Sequence, residues 1–393
     1  MDQQGDVGSY SSIGVDSTGK PHIAYQDLTN RFPKYAYFSN VKWTIADISQ
    51  MGLGAQYMSL TLDSNDQPHL GFNEYAPLVP QMICSFFDGV KWTSTPVGFQ
   101  LGNYLSIAVD SNDKAHISCY DFGGSLIYVS NIQGKSADIV TVDQEDNVGR
   151  YTSIAIDSDD RLHISYFDHT NKDLKYAYFN GTIWLNETVD SRGDVGYHTS
   201  LDLDSNDLPH ISYFDMTNNE LKYAYYDGNN WHDETVDTSD YLATSMALDS
   251  NDRPHITYKS SGLKYAFHDG NQWHKETVDS GKEFGDHASI ALDHLDNPHI
   301  SYYDNNNKNL KYAVIDEILP SVIADDSPDI GYTGNDFEFN INAFDKCSAA
   351  KRCSGISGGP IKHTGTITRE SANCRITSSR TNESICPAGS ITG

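Results

Sequence analysis

A histidine returns along this chain at His22, His69, His116, His163, His210, His255 and His299, commonly in the step Pro-His-Ile, at intervals of 47, 47, 47, 47, 45 and 44 residues. An aspartate six residues earlier keeps the same beat at Asp16, Asp63, Asp110, Asp157, Asp204, Asp249 and Asp293. The period therefore belongs to whole segments and not to one residue type, and seven units follow one another.

Each unit holds four short runs of apolar and aromatic residues, such as "TSIAID", "HISYFD", "LKYAYF" and "WLNETVD" between Thr152 and Asp190. They are rich in Ile, Val, Thr and Tyr and alternate in character, which argues for strands. Between them stand "DSND" and "DGNN", turn formers in which Asp and Asn bond their own backbone and Gly accepts positive φ. No segment shows helical spacing. Four strands in each unit of 44 to 47 residues predict a propeller blade, since a solenoid of this period would use helices or one strand per repeat. The expected fold is all-β, a seven-bladed β-propeller of four-stranded antiparallel blades over residues 9–326.

Both ends depart from the repeat. Residues 1–8 read as the end of a preceding repeat link, because "QGDVGSYSS" matches "RGDVGYHTS" from Arg192 to Ser200. The expectation is a chain that opens inside a unit and belongs to a longer protein. At the other end, residues 327–346 resemble the start of an immunoglobulin-like or PKD-like module, with strand-like alternation at Phe337, Phe339, Ile341 and Ala343. Residues 347–393 contain no Phe, Trp or Tyr and carry six Lys/Arg against two Asp/Glu, with Cys347, Cys353, Cys374 and Cys386. This tail reads either as a small disulfide or zinc module or as a frame-shifted, disordered segment, and the second reading is preferred because its cysteine spacings fit no Cys-x-x-Cys pattern. In blade 7, Pro320 falls where Trp and the fourth strand are expected. That leaves three alternatives: closure by Ser321 to Ala324, a three-stranded blade with an edge open to another chain, or blades continued upstream.

The formal net charge of −27 excludes a nucleic-acid role, which needs a cationic face. No apolar run approaches the roughly 20 residues that span a bilayer as a helix. Asn180, Asn186 and Asn382 are Asn-x-Ser/Thr acceptors. Cys84 and Cys119 lie in adjacent units and read as buried small residues.

Several repeated residues have a plain structural explanation. Trp43, Trp92, Trp184, Trp231 and Trp273 occupy one repeat position and are expected to pack blade on blade. The seven histidines suit a hydrogen bond repeated in every blade, since catalysis needs one asymmetric site. The "DSND" turns could hold calcium, but their oxygens lack the spacing of a calcium loop.

Function is expected on the face that carries the links between units and the loops after the second strand, where the sequence varies most. The first strand opens with Tyr10, Tyr57, Tyr104, Tyr151, His198, Ala243 and His287, and the second ends with Asp27, Glu74, Asp121, Asp168, Asp215, Ser260 and Asp304. A Tyr/His ring beside a carboxylate ring would form a funnel for polyols or cations, calcium being the one ion it suggests. The competing explanation is that these residues pair with each other or with backbone. Blades 5 to 7 break the pattern with His198, Ala243, Lys259, Ser260 and His287, and blade 6 lacks the "DxTN" loop.

On "LKYAYYDGNNW" and "LDSNDLPHISYFD" the chain resembles the extracellular microbial propellers that include fucose-lectin-like and BNR (Asp-box-like) repeat proteins, although true Asp boxes are absent. The resemblance implies an extracellular or cell-surface module that recognises glycan or another extracellular partner. A polysaccharide lyase or glycoside hydrolase using His198, His287, Tyr151 and Lys259 is the alternative, and a structural scaffold of a microbial envelope protein a third. The non-enzymatic reading is preferred, because the acidic surface would repel a polyuronate.

Overall fold

The fourth unit shows how the repeat becomes a blade. Its strands A to D are Val148–Ile156, Leu162–Asp168, Asp173–Phe179 and Trp184–Asp190, paired in that order and all antiparallel. Strand B, "LHISYFD", is buried at every position because strands A and C flank it and neighbouring blades cover both faces. Strand D is exposed along most of its length, so its Leu-Asn-Glu-Thr run is largely polar.

The computed structural model describes residues 1–315 apart from 40, 49–53, 76–79, 133–136, 240–242 and 281–283, together with strands Gly365–Glu370 and Asn373–Ser378. Within it, blades 1 to 6 span residues 7–47, 55–99, 103–143, 148–190, 195–238 and 244–280, each with four strands. Blade 7 has three among the described residues, Phe284–Leu292, Pro298–Asp304 and Asn309–Val314. The expected seven-bladed β-propeller is therefore the fold, with strand A of every blade against strand A of the next. Pro320, Ser321 to Ala324 and residues 327–346 lie outside the described residues. In the tail, Gly365–Glu370 and Asn373–Ser378 pair as an antiparallel hairpin, in a stretch expected to lack structure.

The ring closes through the N-terminal residues. In blade 5 the Tyr213 hydroxyl donates to Asp190, the last residue of blade 4, at 2.8 Å, and Lys222 donates to it at 2.7 Å. Asp2 takes the same pair in blade 1, from Tyr25 at 2.8 Å and Lys34 at 3.0 Å, while its carbonyl accepts the Leu310 amide of blade 7. Asp2 thus stands at the outer-strand terminus of blade 7. Val7 adds a bond from its amide to the Lys308 carbonyl, as Val195 does to Lys172. Gly8 makes this approach feasible, because a Cβ there would lie 2.6 Å from the Leu310 Cα.

The core sits between blades. Each seam buries a cluster such as Leu174, Tyr176, Val195, Leu201, Ile211, Tyr213 and Ala224 between blades 4 and 5, and every fully buried large side chain contributes roughly 1.5–3 kcal/mol. The tryptophans pack as expected, each against a tyrosine of the preceding blade: Trp43 on Tyr312, Trp92 on Tyr35, Trp184 on Tyr128, Trp231 on Tyr176 and Trp273 on Tyr223. The histidines are structural too. His163 bonds the Tyr176 hydroxyl through Nδ1 at 2.5 Å and faces Asp157 through Nε2 at 3.4 Å. Cys84 and Cys119 are buried free thiols.

Candidate functional site

A bulge in strand A builds the mouth of the central channel. In blade 1 the register slips between Ser9, opposite Gln26, and Ser12, opposite Ala24, so that Tyr10 and Ser11 together oppose the single residue Tyr25. Tyr10 takes φ 52°, and the equivalent Tyr57, Tyr104, Tyr151, His198 and His287 lie between 50° and 54°. Such left-handed values cost a non-glycine residue roughly 1 kcal/mol or more, so six repeats of the same strain mark a position fixed by its surroundings. Ala243 does not share the positive φ.

The six rings line one cavity of about 460 Å³ on the channel axis. Neighbouring centroids are 4.2 Å apart for His287 and Tyr10, 5.4 Å for Tyr10 and Tyr57, 4.7 Å for Tyr57 and Tyr104, 4.4 Å for Tyr104 and Tyr151, and 4.2 Å for Tyr151 and His198. Burial pushes the Tyr151 hydroxyl well above its usual range. Burial, with a smaller push from His287, lowers His198 to about 3, so its imidazole is neutral at ordinary pH.

Beneath the aromatics runs a belt that the sequence reading missed. The amides of Ile13, Leu60, Ile107, Ile154, Leu201, Met246 and Ile290 each donate to a serine hydroxyl of the preceding blade, namely Ser289, Ser12, Ser59, Ser106, Ser153, Ser200 and Ser245. Distances run from 3.0 to 3.3 Å and the circle is complete. Its signal is the serine two residues after each ring position, present in all seven repeats. The belt holds neighbouring A strands in register and lines the cavity with hydroxyls.

The expected carboxylate ring does not join the funnel: none of its members lines the cavity. Asp27, Asp168, Asp215 and Asp304 are buried in their own turns. Asp168 accepts the amides of Thr170 and Asn171 at 3.0 Å and the Asn171 side chain at 2.9 Å, and Asp215 and Asp304 do the same. Asp121 accepts the Ser125 amide, burial raises the carboxyl of half-buried Glu74, and the Ser260 amide bonds Gly262. The bond-rich loop "DxTN" accounts for the pattern: its aspartate folds the turn. Of the four candidate catalytic residues, the structure brings His198, His287 and Tyr151 into the cavity, whereas Lys259 is buried outside its lining. Among the described residues the lining contains no carboxylate, lysine or arginine.

The "DSND" turns are clamps between blades. Asp160 receives both the amide and the hydroxyl of Ser111, at 2.9 and 2.6 Å, and the pair recurs from Ser17 to Asp66 through to Ser250 and Asp296. At the seam of blades 7 and 1 the positions hold His294 and Gly19 instead. The first turn aspartate, such as Asp63, accepts two backbone amides. These oxygens are thus already engaged, and among the described residues no group of three or more His, Cys, Asp or Glu could hold a metal.

No protein-family model matches the sequence, and neither does any curated protein. Solved structures do. An ulvan lyase from a polysaccharide lyase family, solved with a carbohydrate bound, is 12% identical and covers 80% of this chain and 95% of its own, with a TM-score of 0.54. The fucose-specific lectin of Aleuria aurantia is 14% identical over 69% of this chain and 95% of its own, with a TM-score of 0.48. A Dyadobacter fermentans protein of unknown function gives 10%, 70%, 95% and 0.47. The first likeness shows the propeller fold.

Proposed function

We propose that the channel mouth is a glycan-binding site and that the protein is a binding module. The observation that carries this reading is the ring of six aromatic side chains around a hydroxyl-lined cavity of about 460 Å³ that holds no carboxylate, lysine or arginine among the described residues. Tyrosine and imidazole faces pack on the C–H faces of sugars while phenol and imidazole edges exchange hydrogen bonds with hydroxyls. The volume is that of a small-ligand site, roughly 300–1,000 Å³. An ulvan lyase of the same fold holds a carbohydrate, so the architecture accommodates this ligand class.

A glycan array probed with the full chain, with and without a calcium chelator, tests the reading. Selective binding that survives chelation and falls at least tenfold in Tyr57→Ala and Tyr104→Ala, with melting temperatures within a few degrees of the parent, is the expected result. An array blank in both conditions would refute it. Asp215→Ala is unsuited to the test, because Asp215 holds its own turn together.

A further inference from the structure

One residue before each ring position the repeat holds Ser9, Gln56, Asn103, Arg150, Tyr197, Leu242 and Asp286, a different side chain in every blade and a cation only in blade 4. Arg150 lies in strand A on the loop side of Tyr151, just outside the lining of the cavity. It is half-buried, opposes Phe167 across the strand pair, and holds its Cζ 5.4 Å from the centre of the Tyr120 ring in the preceding blade. The Phe167 and Tyr197 rings lie 4.2 Å apart beside it. Burial raises the hydroxyls of Tyr151 and Tyr197 and lowers His169, and the Arg150 charge opposes the first two shifts and adds to the third. The guanidinium thus stands among aromatic groups.

What it lacks is a partner. Arg150 makes no ion pair or hydrogen bond among the described residues, and its Nε is buried without an acceptor. The surroundings are described in full: from Asp121 to Asn219 only residues 133–136 are not, and they belong to a turn on the opposite face. Arg161, Arg192 and Arg253 each have an aspartate, as do the seam lysines Lys175 and Lys222. Asp194, in the neighbouring link, is taken by Lys172 at 2.7 Å. In a chain with 54 acidic residues against 27 basic ones, an unpaired and half-buried guanidinium is an exception that nothing in the fold compensates.

We propose that Arg150 is an anion subsite at the rim of the channel mouth, pairing with one carboxylate or sulfate of a saccharide whose neutral part lies against the aromatic ring. The inference rests on the glycan reading above and adds a single acidic group to its ligand class. A guanidinium donates two parallel hydrogen bonds to the oxygens of either anion, and the bonds gain strength where water is partly excluded. The net charge of −27 opposes a polyanion as a whole. Salt screens that field over about 8 Å at physiological ionic strength, so one acidic group in contact with Arg150 is governed by the contact.

The test is an array of matched oligosaccharides probed with the full chain, each neutral hexose chain beside the same chain with one hexuronate or one sulfated hexose in place of hexose. The parent should bind at least one class of acidic twin about tenfold or more tightly than its neutral counterpart, and the two classes tell carboxylate from sulfate. Arg150→Met, which keeps the packing on Tyr120 and removes the charge, should bring acidic and neutral twins level. Arg150→Lys should hold part of the preference, since it keeps the charge without the planar fork. Melting temperatures report folding, and Arg150→Gln takes the place of the methionine variant should that one not fold. Acidic twins of both classes binding no more tightly than neutral ones, or a preference that survives in Arg150→Met, would overturn the subsite and leave the glycan reading intact. A folded parent that binds no member of the array would overturn both.

Discussion

Asp2→Ala tests whether two N-terminal residues hold the propeller shut. The Asp2 carboxylate is buried and accepts the hydroxyl of Tyr25, itself fully buried, at 2.8 Å. It also accepts Lys34 at 3.0 Å, and Lys34 keeps a second partner in Asp27 at 2.9 Å. Truncation leaves a buried phenol unpaired, at about 1–3 kcal/mol, and removes half the compensation of a mostly buried ammonium. The bond from the Leu310 amide survives, because it goes to the backbone. The expected loss is about 2–4 kcal/mol. Asp143→Ala supplies the internal standard, since Asp143 takes Tyr166 at 2.7 Å and Lys175 at 2.9 Å between blades 3 and 4. Urea unfolding followed by tryptophan fluorescence should place the two variants within about 1 kcal/mol of each other. Tyr25→Phe combined with Asp2→Ala should cost less than the separate losses added together, because each removes the same bond. An Asp2→Ala variant within about 0.5 kcal/mol of the parent, beside an Asp143→Ala variant that loses 2–4, would refute closure through Asp2.

Three further outcomes follow from the repeat. Asp160→Ala removes the two exposed bonds from Ser111 and should cost about 0.5–1.5 kcal/mol, whereas Gly19→Asp with His294→Ser installs the missing seventh clamp at a position whose φ of +81° an aspartate tolerates, as Asp66 does at 59°; calorimetry should show a higher Tm for that pair, and an unchanged or lower one refutes the clamp reading. Burial raises the carboxyl of Asp202 from 3.8 to about 6, so the ionised form penalises the fold above pH 6 and the penalty fades as pH falls toward 4; Asp202→Ala, the residue already present at Ala155 and Ala247, should gain up to about 3 kcal/mol at pH 7.5, less the bonds lost from Leu248 and Leu203, and little at pH 4, while a variant weaker at both values refutes this. Burial lowers the pKa of His22, His163, His210, His255 and His299, so these rings stay neutral when the unfolded chain protonates; stability should fall as pH drops below about 6.5, at up to about 1.4 kcal/mol per unit for each, and a melting temperature flat or rising from pH 7 to 5 contradicts it.

Why the fold was legible and the site only partly so comes down to what repetition records. A position repeated seven times registers a constraint that every blade shares, and in a propeller those constraints are strand pairing, seam packing and turn closure. The tryptophans and histidines were readable for that reason, each meeting a neighbour that repeats with it, as Trp231 meets Tyr176. The aspartates that end strand B were misplaced by the same logic: adjacency of strand ends placed them beside Tyr10 and its equivalents, but "DxTN" closes on itself through two amides and an asparagine, and a carboxylate so engaged turns away from the channel. The bulge could not be seen in spacing alone, because an extra residue shared by blades 1 to 5 leaves the period between them unchanged. Blade 2 shows the complementary lesson. Cys84 replaces the tyrosine that elsewhere bonds the repeated histidine, Ala137 of blade 3 replaces the tryptophan that would pack on it, and His69 Nδ1 is left buried without a partner. The paired substitution keeps the seam filled, with Cys84 and Ala137 in one cluster beside Met82 and Ile132. Departures that come with such a compensating partner are therefore packing variants.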